Sequence, residues 1–348
     1  YFVTRAIDML HEAGLIGKDP GVWNPVGGGR QSVAWATDQL RELLDPVIDV
    51  AEHRGLAHQV ETIVLRDRED KKDLDYADTA ETEAMRAQMQ TLNDHLTQLD
   101  LWREGAKFPI PVARRVFNGD FGRGGRLYCH GSSYQIIPAE ERRDLDLVID
   151  GEVHPVVEID YSNLHAVMAY AEADLPLPPG DQYDIAGFDR GLVKLAVNVL
   201  LNAASTQEAV AALTEDLRVN EALREASGLA RGYRRECRPL AKEVIGAIEE
   251  KHQQISASFG SDCGARFQRQ DSEMAIQVML RMIQRTGRCP LPVHDSFLVA
   301  DIHRNVLAQT MSEVAAEEGL ALCLKESGRS SPLGPLPPPP SLLGGNRP

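Results

Sequence analysis

In Asp144-Leu145-Asp146-Leu147-Val148-Ile149-Asp150-Gly151-Glu152-Val153-His154-Pro155-Val156-Val157-Glu158-Ile159-Asp160-Tyr161-Ser162, two apolar runs flank an aspartate–glycine pair. That pair favours the positive φ angles of a tight turn, so the segment predicts an antiparallel hairpin with Asp160 at the end of its second strand. A second hairpin is expected from Gly287-Arg288-Cys289-Pro290 into Leu291–Ala300, with His294-Asp295-Ser296 at its centre. Read as strand neighbours, His294 and Asp295 point to opposite faces. Aspartates brought together from two strand ends can hold a pair of Mg2+ ions about 3.5 to 4 Å apart.

Working outward, Ser162 to Ala173 reads as a helix, and Leu177-Pro178-Pro179-Gly180 breaks the chain. Residues 189–201 form the next helix, which carries Arg190 and Lys194 one turn apart, a spacing that can grip a triphosphate. Helical patterns continue through 207–257, from Asp271 to Arg285 and from Ile302 to Leu322. Strand pairs interleaved with helices predict an α+β fold.

The 348 residues are 43% apolar and 26% charged, a globular composition long enough for two or three domains. No apolar run of membrane-spanning length and no signal-peptide pattern is present, so no membrane partner and a cytoplasmic location are expected. The chain starts at tyrosine, as a fragment would. Five cysteines without CxxC spacing exclude a zinc ribbon and a disulfide framework.

A net charge of -15 looks wrong for a nucleic-acid binder until its distribution is read. Residues 61–100 carry 11 acids and 5 bases. Residues 103–132 hold six bases (Arg103, Lys107, Arg114, Arg115, Arg123, Arg126) against two acids, and 228–242 hold five (Arg231, Arg234, Arg235, Arg238, Lys242) against one. Each strip can track a phosphate backbone or be an ordinary solvated face.

Residues 1–58, a short helix followed by a Pro/Gly-rich excursion over Asp19–Arg30, resemble a winged-helix module, which would set a helix against duplex DNA. Residues 59–104 read as an acidic helical connector, with a solvated helix from Glu81 to Leu101 and no site residues. Residues 105–326 hold the two hairpins, and 327–348, with Pro-Leu-Pro-Pro-Pro-Pro inside, read as a disordered tail.

The motifs of residues 117 to 300 resemble the nucleic-acid polymerases that unite family A DNA polymerases with phage-type single-subunit RNA polymerases. Asp160-Tyr161-Ser162-Asn163-Leu164-His165 is similar to the first palm motif, and His294-Asp295-Ser296-Phe297 to the second. Arg190, Lys194, Asn198 and Asn202 fall at the spacing of the fingers helix. Gly124-Gly125-Arg126-Leu127-Tyr128 resembles an RNA polymerase loop that contacts template and hybrid.

The resemblance implies a palm of antiparallel sheet and helices with helical fingers. It also implies two Mg2+ ions on Asp160, Asp295 and the Tyr161 carbonyl, and a DNA primer–template with nucleoside triphosphates as partners. Asp160, Asp295 and Lys194 would be catalytic. Arg190, Lys194, Tyr161, His165, Asn198 and Asn202 would meet the nucleotide, and Arg126, Tyr128, Gln268, Gln270 and His294 the nucleic acid.

His165 stands where family A enzymes keep a bulky residue against the sugar C2′ edge, which favours deoxynucleotides, whereas Ser296-Phe297 and Arg126-Leu127-Tyr128 lean toward RNA synthesis. Asn198 and Asn202 replace the usual fingers residues and put stacking of the templating base in doubt. DNA synthesis is the first reading. A phage-type RNA polymerase or primase is the alternative, and a non-catalytic winged-helix DNA-binding replication or regulatory protein is the second.

Overall fold

The computed structural model describes residues 2–19, 33–43, 60–129, 133–229 and 231–329. The chain divides into two units, Tyr1–Val60 and Glu61–Pro348. In the first, helix α1 (Phe2–Glu12) is followed by an antiparallel ribbon of β1 (Ile16–Asp19) and β2 (Val33–Ala36), and residues 38–43 are helical. The Pro/Gly-rich excursion lies outside the described residues from position 20 onward.

The second unit is mixed α/β, built on two sheets. In the larger, seven strands pair antiparallel: β5 (Asp100–Arg103), β6 (Ala106–Lys107), β9 (Leu145–Ile149), β10 (Glu152–Tyr161), β11 (Leu291–Val293), β12 (Ser296–Ala300) and β13 (Leu324–Gly328). Their order is β11-β12-β10-β9-β5-β6, with β13 also on β10. The smaller sheet runs β4 (Asp73–Leu74), β3 (Ile63–Arg66), β7 (Ala113–Asn118) and β8 (Asp120–Cys129), and its β3–β7 pair is parallel.

Helices α2 (Ala80–Leu96), α3 (Leu164–Glu172), α4 (Arg190–Asn202), α5 (Thr206–Val219), α6 (Glu221–Ala226), α7 (Arg234–Lys251), α8 (Gly264–Thr286) and α9 (Arg304–Glu317) complete the unit. One continuous core joins sheet residues such as Leu101, Ile159 and Phe297 to Leu192, Ala196 and Leu200 of α4 and Met274 and Val278 of α8.

The first expected hairpin forms. Ile149 faces Glu152 across a turn in which Asp150 and Gly151 take φ of +51° and +86°. The second forms as well, but His294 and Asp295 are its turn rather than part of a strand, and His294 takes φ of +57°. A two-residue turn between Val293 and Ser296 leaves no room for them in the ladder.

Other expectations need correction. The segment 59–104 is no connector. It supplies strands to both sheets, and α2 buries Met85, Met89, Leu92 and Leu96 against them. Every third or fourth residue of α2 is apolar, and that stripe outweighs the surrounding acids. The helix ends at Leu96, so Asp100 and Leu101 belong to β5.

The helix expected to reach Leu322 stops at Glu317, and β13 takes up Ser327 and Gly328, the expected start of the tail. Residues 330–348 lie outside the described residues. The Gly124–Tyr128 motif is part of β8, with irregular pairing beside Phe117, rather than a loop.

Candidate active site

Strand β10 brings the acidic residues together. Asp160 pairs with Ser296 on β12, and the Tyr161 amide donates to the Asp295 carbonyl at 3.3 Å. The two aspartates, 135 positions apart in sequence, therefore stand at neighbouring strand ends. Burial and the nearby Asp295 carboxylate push the Asp160 carboxyl up to about 7, and the Lys194 and Lys325 ammonium groups act against that rise. Among the described residues, no three His, Cys, Asp or Glu side chains form a ready-made metal cage.

Two positions before Asp160, Glu158 is already committed. Arg142 grips it with two bonds, at 3.0 and 2.7 Å, and Ser296 Oγ lies 2.6 Å from its Oε1. Ser296 has one proton to give and also stands 2.9 Å from the Val293 carbonyl. The Ser296 hydroxyl is thus committed to Glu158 and the Val293 carbonyl.

Helix α4 starts where the Asp189 side chain accepts the Leu192 amide at 3.0 Å, a standard N-cap. It buries Leu192, Val193, Ala196, Val197, Leu200 and Leu201. Arg190, Lys194, Asn198 and Asn202, four apart, occupy the other stripe. Lys194 is exposed, with no hydrogen bond or ion pair among the described residues, while Arg190 pairs with Asp181 at 2.5 Å and lies 5.4 Å over the Tyr183 ring. Asn202 Nδ2 donates to the Asn198 carbonyl at 2.8 Å, so this amide is turned onto its own helix.

A second group of partners surrounds His165. Arg126 Nε donates to Asp271 at 2.8 Å, and Arg126 Nη2 lies 3.2 Å from His165 Nε2. A guanidinium only donates, so His165 Nε2 accepts and its proton sits on Nδ1. Burial, together with Arg126, brings the imidazole down to about 4, and burial raises Asp271 to about 7 against the pull of Arg126. Asp295 bears on Arg126, His165 and Asp271 alike, which puts this group within electrostatic reach of the carboxylate hairpin.

The remaining sequence-nominated residues divide. Tyr128 and His294 meet edge to face with ring centres 6.1 Å apart, so strand β8 and the β11–β12 turn converge. Tyr161 buries its ring and donates its hydroxyl to the Met311 carbonyl at 2.8 Å, leaving only its backbone for the site. Gln268 and Gln270 are two apart on α8 and so lie on different faces. Gln270 donates to Glu318 at 3.1 Å.

Most of the basic strip at 103–132 is used internally. Arg103 pairs with Glu141, Lys107 with Asp100, Arg115 with Glu273, Arg123 with Asp262 and Arg126 with Asp271. In the strip at 228–242, Arg231, Arg234, Arg235, Arg238 and Lys242 are exposed, and Arg235 pairs with Glu236 at 3.8 Å.

Three participants escaped the sequence reading. Asp271 opens the helical pattern at 271–285, but nothing in the sequence says that it is buried beside Arg126. Lys325 faces Asp160 across the β10–β13 ladder, in a polar five-residue strand without an apolar period. Glu158 could have been found, because residues two apart on a strand share a face.

No protein-family model matches the chain. No curated protein matches it either. Among solved structures, the chain is similar to the POL domain of Pol1 from M. smegmatis in complex with DNA primer-template and dNTP, at 15% identity and a TM-score of 0.33. The match covers 71% of this chain and 51% of that one, so the chain spans about half the length of that structure.

Proposed function

We propose that the chain is a template-dependent nucleotidyltransferase that extends a primer by two-metal phosphoryl transfer, with deoxynucleotides as the first choice of substrate. The observation that carries this reading is the pairing of Asp160 with Ser296, which brings the end of β10 at Asp160 next to the β11–β12 turn that carries Asp295. Lys194 on α4 acts on the same carboxylate from a different element.

The donor set suits Mg2+, a hard cation that is usually held by one or two carboxylates together with substrate phosphates rather than by a closed protein cage. Asp160, Asp295 and the Tyr161 carbonyl would hold it. Bound there, it supplies charge neutralisation at the attacked phosphate and activation of the 3′-hydroxyl.

This chain's own residues do the positioning. Lys194 and Arg190 bind the triphosphate from one helix face, once Arg190 exchanges Asp181 for phosphate oxygens. His165, neutral and fixed by Arg126, lies against the sugar edge. Tyr128 and His294 make a joined aromatic surface for the nucleic acid.

Extension of a labelled primer on a template, with dNTPs and rNTPs supplied separately, tests the reading. Product with dNTPs supports DNA synthesis, and product with rNTPs alone moves the assignment to an RNA polymerase or primase. No product with either, alongside tight duplex binding, leaves the non-catalytic DNA-binding reading in its place.

A further inference from the structure

We propose that Lys325 is a nucleic-acid-binding residue of this site, holding the backbone phosphate next to the primer 3′ end while Lys194 holds the incoming triphosphate. The inference rests on the polymerase reading above and names a residue that reading lacks.

The placement comes from the ladder. In β10–β13, Lys325 is directly opposite Asp160, and directly opposite residues of an antiparallel pair share a face, with Cβ atoms about 4.5 to 5.5 Å apart. Strand β12, with Ser296 opposite the same Asp160, pairs with β10 as well, so Asp160 stands in a row between Ser296 and Lys325.

The lysine is exposed and has no hydrogen bond or ion pair among the described residues. Its neighbour Glu326 does not compensate it, because Arg304 takes both Glu326 oxygens at 2.7 and 2.6 Å. The nearby arginines are engaged too: Arg126 by Asp271, Arg142 by Glu158 and Arg190 by Asp181. Two lysines, Lys194 and Lys325, are thus left to act on Asp160 without a paired acid of their own.

A cation beside a carboxylate that is to hold Mg2+ is repelled by the metal unless an anion lies within its reach. The reaction brings two such anions, the triphosphate and the phosphodiester adjoining the 3′-hydroxyl. Lys194 shares its helix face with Arg190, and two cations four residues apart suit one polyphosphate. Lys325 comes instead from the sheet, alongside Asp160, and is assigned the other anion. Lysine suits that task as a flexible point charge without a fixed fork geometry.

The test measures DNA binding apart from catalysis. Fluorescence anisotropy of a labelled primer–template, in Ca2+ without nucleotide, is compared for the full chain and its Lys325→Gln, Lys325→Arg and Lys194→Gln variants. Thermal melts check that each variant is folded.

Lys325→Gln is expected to weaken primer–template binding about 3- to 10-fold and to reduce the slope of log affinity against log salt by about one phosphate contact. Lys325→Arg is expected to restore both, which a structural role would not predict. Lys194→Gln is expected to raise the nucleotide KM while leaving DNA affinity in place.

An unchanged DNA affinity in Lys325→Gln, or an effect confined to nucleotide KM, overturns the assignment while the polymerase reading stands on wild-type extension. Wild-type protein that neither binds nor extends a primer–template overturns both.

Discussion

A carboxylate buried beside a second carboxylate is costly to keep charged, and Asp160 shows this. Its carboxyl is pushed up to about 7, so the folded chain holds a proton that the unfolded chain releases near pH 4. The contribution of this group to stability is complete below about pH 4 and is lost as pH rises through about 7. Asp160→Asn should therefore melt higher than wild type at pH 8 in EDTA, by about 2 kcal/mol, and match it at pH 4. The same substitution, like Asp295→Asn, should cut primer extension at least about a thousandfold. A variant that loses stability at pH 8 while keeping activity would contradict both roles. At His165, removing the imidazole with His165→Gly should raise rNTP incorporation relative to dNTP by about tenfold or more, a steric prediction read from competitive incorporation assays. An unchanged ratio takes His165 out of sugar selection.

Legibility differs sharply between elements. The β9–β10 hairpin could be read from sequence because its information is local: Asp150-Gly151 supplies two positive-φ residues and the flanks alternate. Helix α4 could be read from Asp189 and its apolar period. Strands β3, β5 and β13 could not, since each has five residues or fewer and pairs with a strand far along the chain: Ile63 with Arg115, Asp100 with Val148 and Lys325 with Asp160. Local propensity says little about such pairings. The candidate site was legible as Asp160, Asp295 and the α4 cations, while Asp271 and Lys325 were not, because burial and cross-strand register decide their roles. Strand β8 offers a test at this scale. Gly125 takes φ of +81°, and a Cβ there would meet Phe117 at 2.7 Å and Ser272 at 3.0 Å, whereas Gly151 takes φ of +86° with nothing within 4 Å. Gly125→Ala should cost about 2 to 4 kcal/mol, and Gly151→Ala about 1 kcal/mol, in denaturant unfolding. Equal costs would mean that the packing around Arg115 and Phe117 is looser than described.

Across the whole molecule, the proposed function requires a chain with 52 acids and 37 bases to meet nucleic acid through local arrangement rather than net attraction. Within the strip at 103–132, Arg115 and Arg126 fasten strands β7 and β8 to helix α8, Arg115 through Ser272 and Glu273 at 2.8 and 2.7 Å and Arg126 through Asp271, so the sequence signal of these two belonged to the core. Buried arginines of this kind fix geometry, and breaking them is costly. The division into Tyr1–Val60 and Glu61–Pro348 gives a prediction at this scale. A chain beginning at Glu61 should unfold cooperatively, with a Tm within about 3 °C of the corresponding transition in the full chain by calorimetry. Loss of that transition would make the first unit part of the second unit's stability.

Strand β10 is bonded on both flanks from Val157 to Asp160, by β12 and by β13. Backbone amides enclosed in this way trade their protons with heavy water only through large-scale opening of the sheet. The acid-bearing end of the strand should thus label among the slowest segments of the molecule, even under conditions in which the outer helices label within minutes. Under the proposed function, any rearrangement during turnover then falls to the elements that approach this strand, because the strand itself stays fixed as their point of reference.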